Sequence, residues 1–135
     1  METNDFALGP LEIACLEAMW LDGALDARSL HDRFSRERRL SLSTVQSTLE
    51  RLHRKGLVSR TKVSHAYVYA AELSREAVMA RLVDVALKPF ASAPGQGLLA
   101  AFAEYAAAAD DAALDELERL IAERKAALAR KQERR

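Results

Sequence analysis

Ser41-Leu42-Ser43-Thr44-Val45-Gln46-Ser47-Thr48-Leu49-Glu50-Arg51-Leu52-His53-Arg54-Lys55-Gly56 is the stretch on which the reading of this chain turns. Wound as a helix, it sets Val45, Leu49 and Leu52 on one stripe with Thr48 beside it. Thr44, Ser47 and Arg51 then fall on the opposite stripe at i, i+3 and i+7. An apolar back with a front of short hydroxyls ending in arginine fits a DNA major groove. Small side chains let the backbone approach the base edges, and a guanidinium reaches guanine or phosphate. The same composition also suits an ordinary surface helix, because Ser and Thr gather near caps. The flanking sequence has to decide.

Gly56 is a C-terminal stop signal, and Leu57 to Val63 alternates as a strand does. Ser64-His65 reads as a turn and Ala66-Tyr67-Val68-Tyr69-Ala70 as the returning strand, with Tyr67 and Tyr69 on one face. Arg60, Lys62 and His65 would lie on or near this basic ribbon, within reach of backbone phosphates. Plain sheet structure is the alternative, although so small a hairpin is marginal unless it packs on helices. Upstream, Pro10 suits a first helical turn, and Leu11, Cys15, Leu16, Met19 and Trp20 form an apolar face. Asp22-Gly23 ends that helix, and Asp26 is placed to cap a second one carrying Leu30 and Phe34 inward. Three helices followed by a hairpin is winged helix-turn-helix organisation.

These segments together resemble the penicillinase-repressor family of bacterial transcription regulators (the BlaI/MecI type, with the copper-responsive CopY proteins as relatives). The resemblance rests on Leu8-Gly9-Pro10-Leu11-Glu12 through Met19-Trp20, then Ser43 to Leu52, then Lys55-Gly56-Leu57-Val58. It continues through Tyr67-Val68-Tyr69 to Leu73-Ser74-Arg75-Glu76, in order and without large gaps, while the last third agrees in helical layout and not in motif. The expected fold class is mainly α with a small β-hairpin: a winged helix-turn-helix domain over 1–72 and a helical dimerisation domain over 73–135. The resemblance implies a dimer on a palindromic promoter element.

Formal net charge is zero over 135 residues, but its distribution is uneven. Residues 1–25 carry five acids and no Lys or Arg, whereas residues 26–67 carry ten bases against four acids. That basic block coincides with the proposed reading helix and wing, which favours a nucleic-acid partner over a merely solvated face. A single cysteine excludes an internal disulfide and fits a reducing cytoplasm. Neither a leader peptide nor a run of 18 apolar residues is evident, so no membrane insertion is expected.

Ser74 is placed to cap a helix reaching about Lys88, with Val78, Leu82 and Val85 inward and Pro89 past its end. Ala93-Pro94-Gly95-Gln96-Gly97 is a break, and Leu98 to Tyr105 reads as a short apolar helix. Asp110-Asp111 begins a last helix whose Leu114, Leu117, Ile121 and Leu128 share a stripe with Arg124. Three helices this apolar cannot bury their faces on one another in about 60 residues. A two-fold dimer is therefore expected through Val78, Leu82, Val85, Phe90, Leu98, Phe102, Leu114, Leu117, Ile121 and Leu128. Packing back onto the winged domain is the alternative.

The expected function is a dimeric repressor on an inverted-repeat operator in double-stranded DNA. Thr44, Ser47 and Arg51 face the groove, with Ser43, Gln46 and Arg54 on its flanks and Gln46 suited to adenine. Ser41 or Ser43 caps the helix or touches phosphate. Arg60, Lys62 and His65 add sequence-independent affinity. The antibiotic-responsive relatives are cleaved at an Asn-Phe bond after signalling by a membrane sensor-protease. The counterpart here is Ala101-Phe102, which keeps Phe and lacks Asn, so a sensor-protease partner is an open expectation. The tail has no cysteine hook of the copper-responsive kind. Cys15 reads as a small core residue, and His31, His53 and His65 show no ligand spacing, so neither metal nor cofactor is expected. There is no phosphate loop or nucleophile elbow, and an enzyme is not expected. A ligand-sensing winged-helix regulator of another class, and a winged-helix protein-interaction module that never meets DNA, are the competing readings.

Overall fold

The computed structural model describes residues 7–90 and 95–134, and the chain divides into two compact units, Met1–Lys88 and Pro89–Arg135. Helix α1 (Pro10–Asp22) starts at proline, in the turn where a missing N–H costs nothing. The Gly9 N–H donates to Glu12 Oε1 at 3.1 Å, so one otherwise orphaned donor is satisfied. The helix stops at Gly23, whose φ of +84° lies in the left-handed region that favours glycine. After the two-residue strand β1 (Leu25–Asp26), helix α2 (Ala27–Phe34) is capped by Asp26, which accepts from Ser29 N at 2.8 Å. His31 Nε2 donates to Leu40 O at 2.7 Å, pinning the loop that leads into α3 (Leu42–Arg54).

Helix α3 ends at Lys55-Gly56, where Gly56 takes φ +77°. Strands β2 (Val58–Val63) and β3 (Ala66–Ala71) pair antiparallel from Val58↔Ala71 to Val63↔Ala66. The turn between them is Ser64-His65, with Ser64 at φ 59°. Leu25 and Asp26 pair with Tyr69 and Val68 on the other side of β3, giving the order β1-β3-β2. The expected hairpin is thus the larger part of a three-stranded sheet. Helix α4 (Arg75–Leu87) is capped by Ser74, whose Oγ accepts from Ala77 N at 3.1 Å.

One cluster holds this unit together: Cys15, Leu16 and Met19 of α1, Leu30 of α2, Val45, Leu49 and Leu52 of α3, with Leu57, Val58, Tyr69 and Val78. Trp20 Nε1 donates to Leu73 O at 2.9 Å, and Arg75 pairs with Glu17 at 2.5 Å, so the start of α4 is fastened to α1. Val78, expected on a dimer seam, is only 2% exposed in this core, and Leu82 packs against it. For that reason the compact division falls after Lys88 and not at the expected 72/73 boundary. Apolar residues in the first half of α4 join this core before any second chain is needed.

In the second unit, helix α5 (Gly95–Ala109) is longer than the expected 98–105, since the alanines at 106–109 continue it at no propensity cost. Ala93 and Pro94 of the expected break lie outside the described residues. Helix α6 (Ala113–Glu133) begins after a turn in which Asp110 Oδ1 accepts from Ala112 N at 3.2 Å. Arg119 pairs with Glu116 and Glu123 along its surface. None of its residues is buried, although Leu114, Leu120, Ile121 and Leu128 are all large and apolar. No helix among the described residues is long and apolar enough to cross a membrane.

Candidate nucleic-acid interface

Ser41 settles the cap of α3. Its Oγ accepts from Thr44 N at 3.1 Å and lies 2.8 Å from Thr44 Oγ1 and 3.0 Å from Ser43 Oγ. Three hydroxyls thereby cluster at the positive end of the helix, where an anion is favoured. Ser43, Thr44, Gln46, Ser47, Arg51 and Arg54 are all exposed. Val45, Thr48, Leu49 and Leu52 are buried beneath them. Thr48 satisfies itself by donating to Thr44 O at 2.8 Å and accepting from Arg51 Nη2 at 3.2 Å.

Burial of Thr48 corrects the centre of the exposed face. With Thr48 in the buried back, the stripe directly opposite is Ser43, Ser47, Glu50 and Arg54 at i, i+4, i+7 and i+11, all exposed. Thr44 and Arg51, expected at the centre, sit at one edge, with Gln46 at the other. The acid at the middle of this stripe was not anticipated as a site residue. Its spacing from Ser43 and Ser47 carries that signal in the sequence, where it is otherwise one of four acids in a basic block.

Arg60 also departs from expectation. Its Nη1 donates to Glu50 Oε1 at 2.8 Å, and its guanidinium lies 4.3 Å from the Tyr67 ring centroid. It therefore ties the wing to α3 instead of extending into solvent. Cross-strand geometry puts Arg60 opposite Tyr69 and Lys62 opposite Tyr67, so both cations share the tyrosine face, and Arg60, nearer the base of the hairpin, is the one that reaches α3. Tyr67 and Tyr69 meet edge to face with centroids 6.3 Å apart. Lys62 and His65 are exposed on the wing as expected. A cleft of about 480 Å³ separates α3 from the wing, lined among others by Arg28, Gln46, Glu50, His65 and Tyr67. Arg28 and Tyr67 join the surface although neither is an expected interface residue.

The contact that orients α3 lies at its other end. Lys55 Nζ donates to Glu12 Oε2 and to Ala7 O, both at 2.7 Å, with both charged side chains largely covered. This pair sets the end of α3 against the start of α1. Cys15 is fully buried, and desolvation, with Glu12 adding to it, pushes its thiol up to about 12. The thiolate needed for redox or metal chemistry is thereby suppressed. Among the described residues no three His, Cys, Asp or Glu side chains gather as a metal cluster would.

Of the residues expected at a dimer seam outside the winged core, Phe90, Phe102, Leu114, Ile121 and Leu128 are exposed and Val85, Leu98 and Leu117 half-buried. Ala101 and Phe102 lie within α5, both exposed.

A family model described as penicillinase repressor matches residues 8–123. The transcriptional regulator BlaI of Mycobacterium tuberculosis is 34% identical over 118 residues, covering 86% of this chain and 83% of the relative. Among solved structures, a protein from the thermoacidophilic archaeon Sulfolobus tokodaii superimposes with a TM-score of 0.52 at 27% identity. That match covers 67% of this chain and 88% of the other. The solution structure of the DNA-binding domain of the repressor BlaI gives a TM-score of 0.47 at 20% identity, over 51% of this chain and 84% of that one. The relative and the family model are thus named as a transcriptional regulator and a repressor. With the family model spanning 8–123 and a relative this similar over most of its length, the chain belongs to the penicillinase repressor family.

Proposed function

We propose that this repressor works as a homodimer on an inverted-repeat operator in double-stranded DNA, with α3 in the major groove and the wing beside the phosphate backbone. The observation that carries the reading is the surface of α3. A back of Val45, Leu49 and Leu52, with the internally bonded Thr48, is buried beneath a front of Ser43, Ser47 and Arg54, edged by Thr44, Arg51 and Gln46. Short hydroxyls permit close approach, and the arginines and Gln46 have the reach and donor geometry for guanine and adenine edges. Lys62 and His65 supply phosphate contacts from the wing, and the Ser41 cap offers another at the helix start.

The dimer is supported by α5 and α6. A 21-residue helix that leaves Leu114, Leu120, Ile121 and Leu128 uncovered within its own chain needs another apolar surface. A second copy supplies one and doubles the bases read, since each well-paired base contributes only about 1–3 kcal/mol of discrimination. Residues 73–135 accordingly act in assembly, although the first half of α4 also belongs to the winged core. DNA as the partner puts the protein in the cytoplasm. Release by a membrane sensor-protease would act at Ala101-Phe102, and α5 must unwind locally before a protease can take up that bond.

Selection of binding sites from random duplex DNA by the full-length protein tests this reading. The expected product is a pair of inverted half-sites. Recovery of unrelated sequences at every salt concentration would refute it.

A further inference from the structure

We propose that Glu50 is a specificity-determining residue, its carboxylate accepting a hydrogen bond from the exocyclic amine of one cytosine in each operator half-site; the inference rests on the assignment of α3 as the reading helix. Glu50 occupies the middle of the exposed stripe Ser43-Ser47-Glu50-Arg54. A carboxylate at the centre of a surface that meets a polyanion is repelled unless its charge is compensated. Arg60 compensates it, with Nη1 donating to Oε1 at 2.8 Å. The guanidinium is itself fixed by the Tyr67 ring, 4.3 Å from its centroid. Arg60 reaches Glu50 from β2, so the wing sets the rotamer of a side chain on the reading helix.

Arg60 engages Oε1, and with the Glu50 side chain 53% exposed the carboxylate keeps capacity for a donor from outside. An ionised carboxylate only accepts hydrogen bonds. In the major groove it suits the cytosine N4 amine and is repelled by guanine O6 and N7 and by thymine O4. Adenine offers an amine as well, but its neighbouring N7 acceptor faces the same carboxylate. Cytosine carries no acceptor beside its amine on that edge.

The test is site selection, followed by competition between duplexes differing at one base pair, with the full-length protein and its Glu50→Gln, Glu50→Ala and Arg60→Met variants. The wild-type protein should enrich cytosine at one position per half-site. Glu50→Gln should move that preference toward adenine, which glutamine pairs with through N6 and N7. Glu50→Ala should lower the cytosine-over-thymine ratio about tenfold while raising affinity for unselected duplex, because a negative charge beside the phosphates is gone. Arg60→Met should weaken binding to every duplex and keep the cytosine preference. Both side chains reach solvent, and an unchanged melting temperature checks that folding is intact. If both Glu50 variants select the wild-type sequence with unchanged ratios, the inference is overturned while α3 keeps its role. If the wild-type protein selects no sequence at all, the reading of α3 fails and the inference falls with it.

Discussion

Cys15 and Lys55 show how single side chains hold α3 in place. The Cys15 thiol, pushed up from 9.0 to about 12 by burial, keeps its proton in the fold where the unfolded chain would lose it. Stability should therefore fall as pH rises from 9.0 toward 12, and the native thiol should resist an alkylating reagent at neutral pH that modifies it quickly in denaturant. Rapid native-state alkylation would contradict the assignment of Cys15 to the core. Lys55→Met leaves the covered Glu12 carboxylate without its partner, and should destabilise the winged unit by about 2–4 kcal/mol in chemical denaturation. At this scale the sequence was informative wherever a residue acts locally. Asp26, Ser74, Gly23 and Gly56 announce their caps and stops through their own conformational preferences. Glu50, Arg60 and Glu12 were not legible in the same way. Their roles come from partners 10 and 43 positions distant in the chain, and no local pattern records such a pairing.

Among the elements, α3 was the most legible, because a 3.6-residue period with an apolar back identifies both the helix and its buried face. The finer orientation needed Thr48, a polar residue whose burial is possible only because its hydroxyl bonds within the helix. Ser41→Ala should remove the cap that accepts from Thr44 N and lower stability by about 1 kcal/mol, read as a fall in melting temperature. An unchanged melting temperature would mean that the cluster of Ser41, Ser43 and Thr44 contributes nothing to the start of the helix. The hairpin was legible from alternation and its turn, whereas β1 was not. Two residues carry no periodicity, and their pairing with Val68 and Tyr69 is a tertiary event. The extra strand matters because it covers one edge of β3 and anchors the hairpin from which Arg60 reaches α3.

For the whole molecule, the helical content of the second half could be read from composition, but which apolar faces stay within the chain could not. Val78 has the same apolar character as Ile121, yet the first is 2% exposed and the second 49%. Proximity in sequence to the sheet, and not hydrophobicity, separates them. Ile121→Glu should accordingly leave the winged unit folded while shifting the full-length protein from dimer to monomer in sedimentation equilibrium. It should also weaken binding to a paired half-site far more than to a single one. Retention of the dimer would remove α6 from the interface. The most direct measurement of the central claim is a hydroxyl-radical footprint of the full-length protein on its selected duplex, combined with the stoichiometry of the complex. Two chains per duplex are expected, with two protected half-sites related by a dyad and centres about one helical turn or a whole multiple apart. A single asymmetric footprint bound by one chain would contradict the claim.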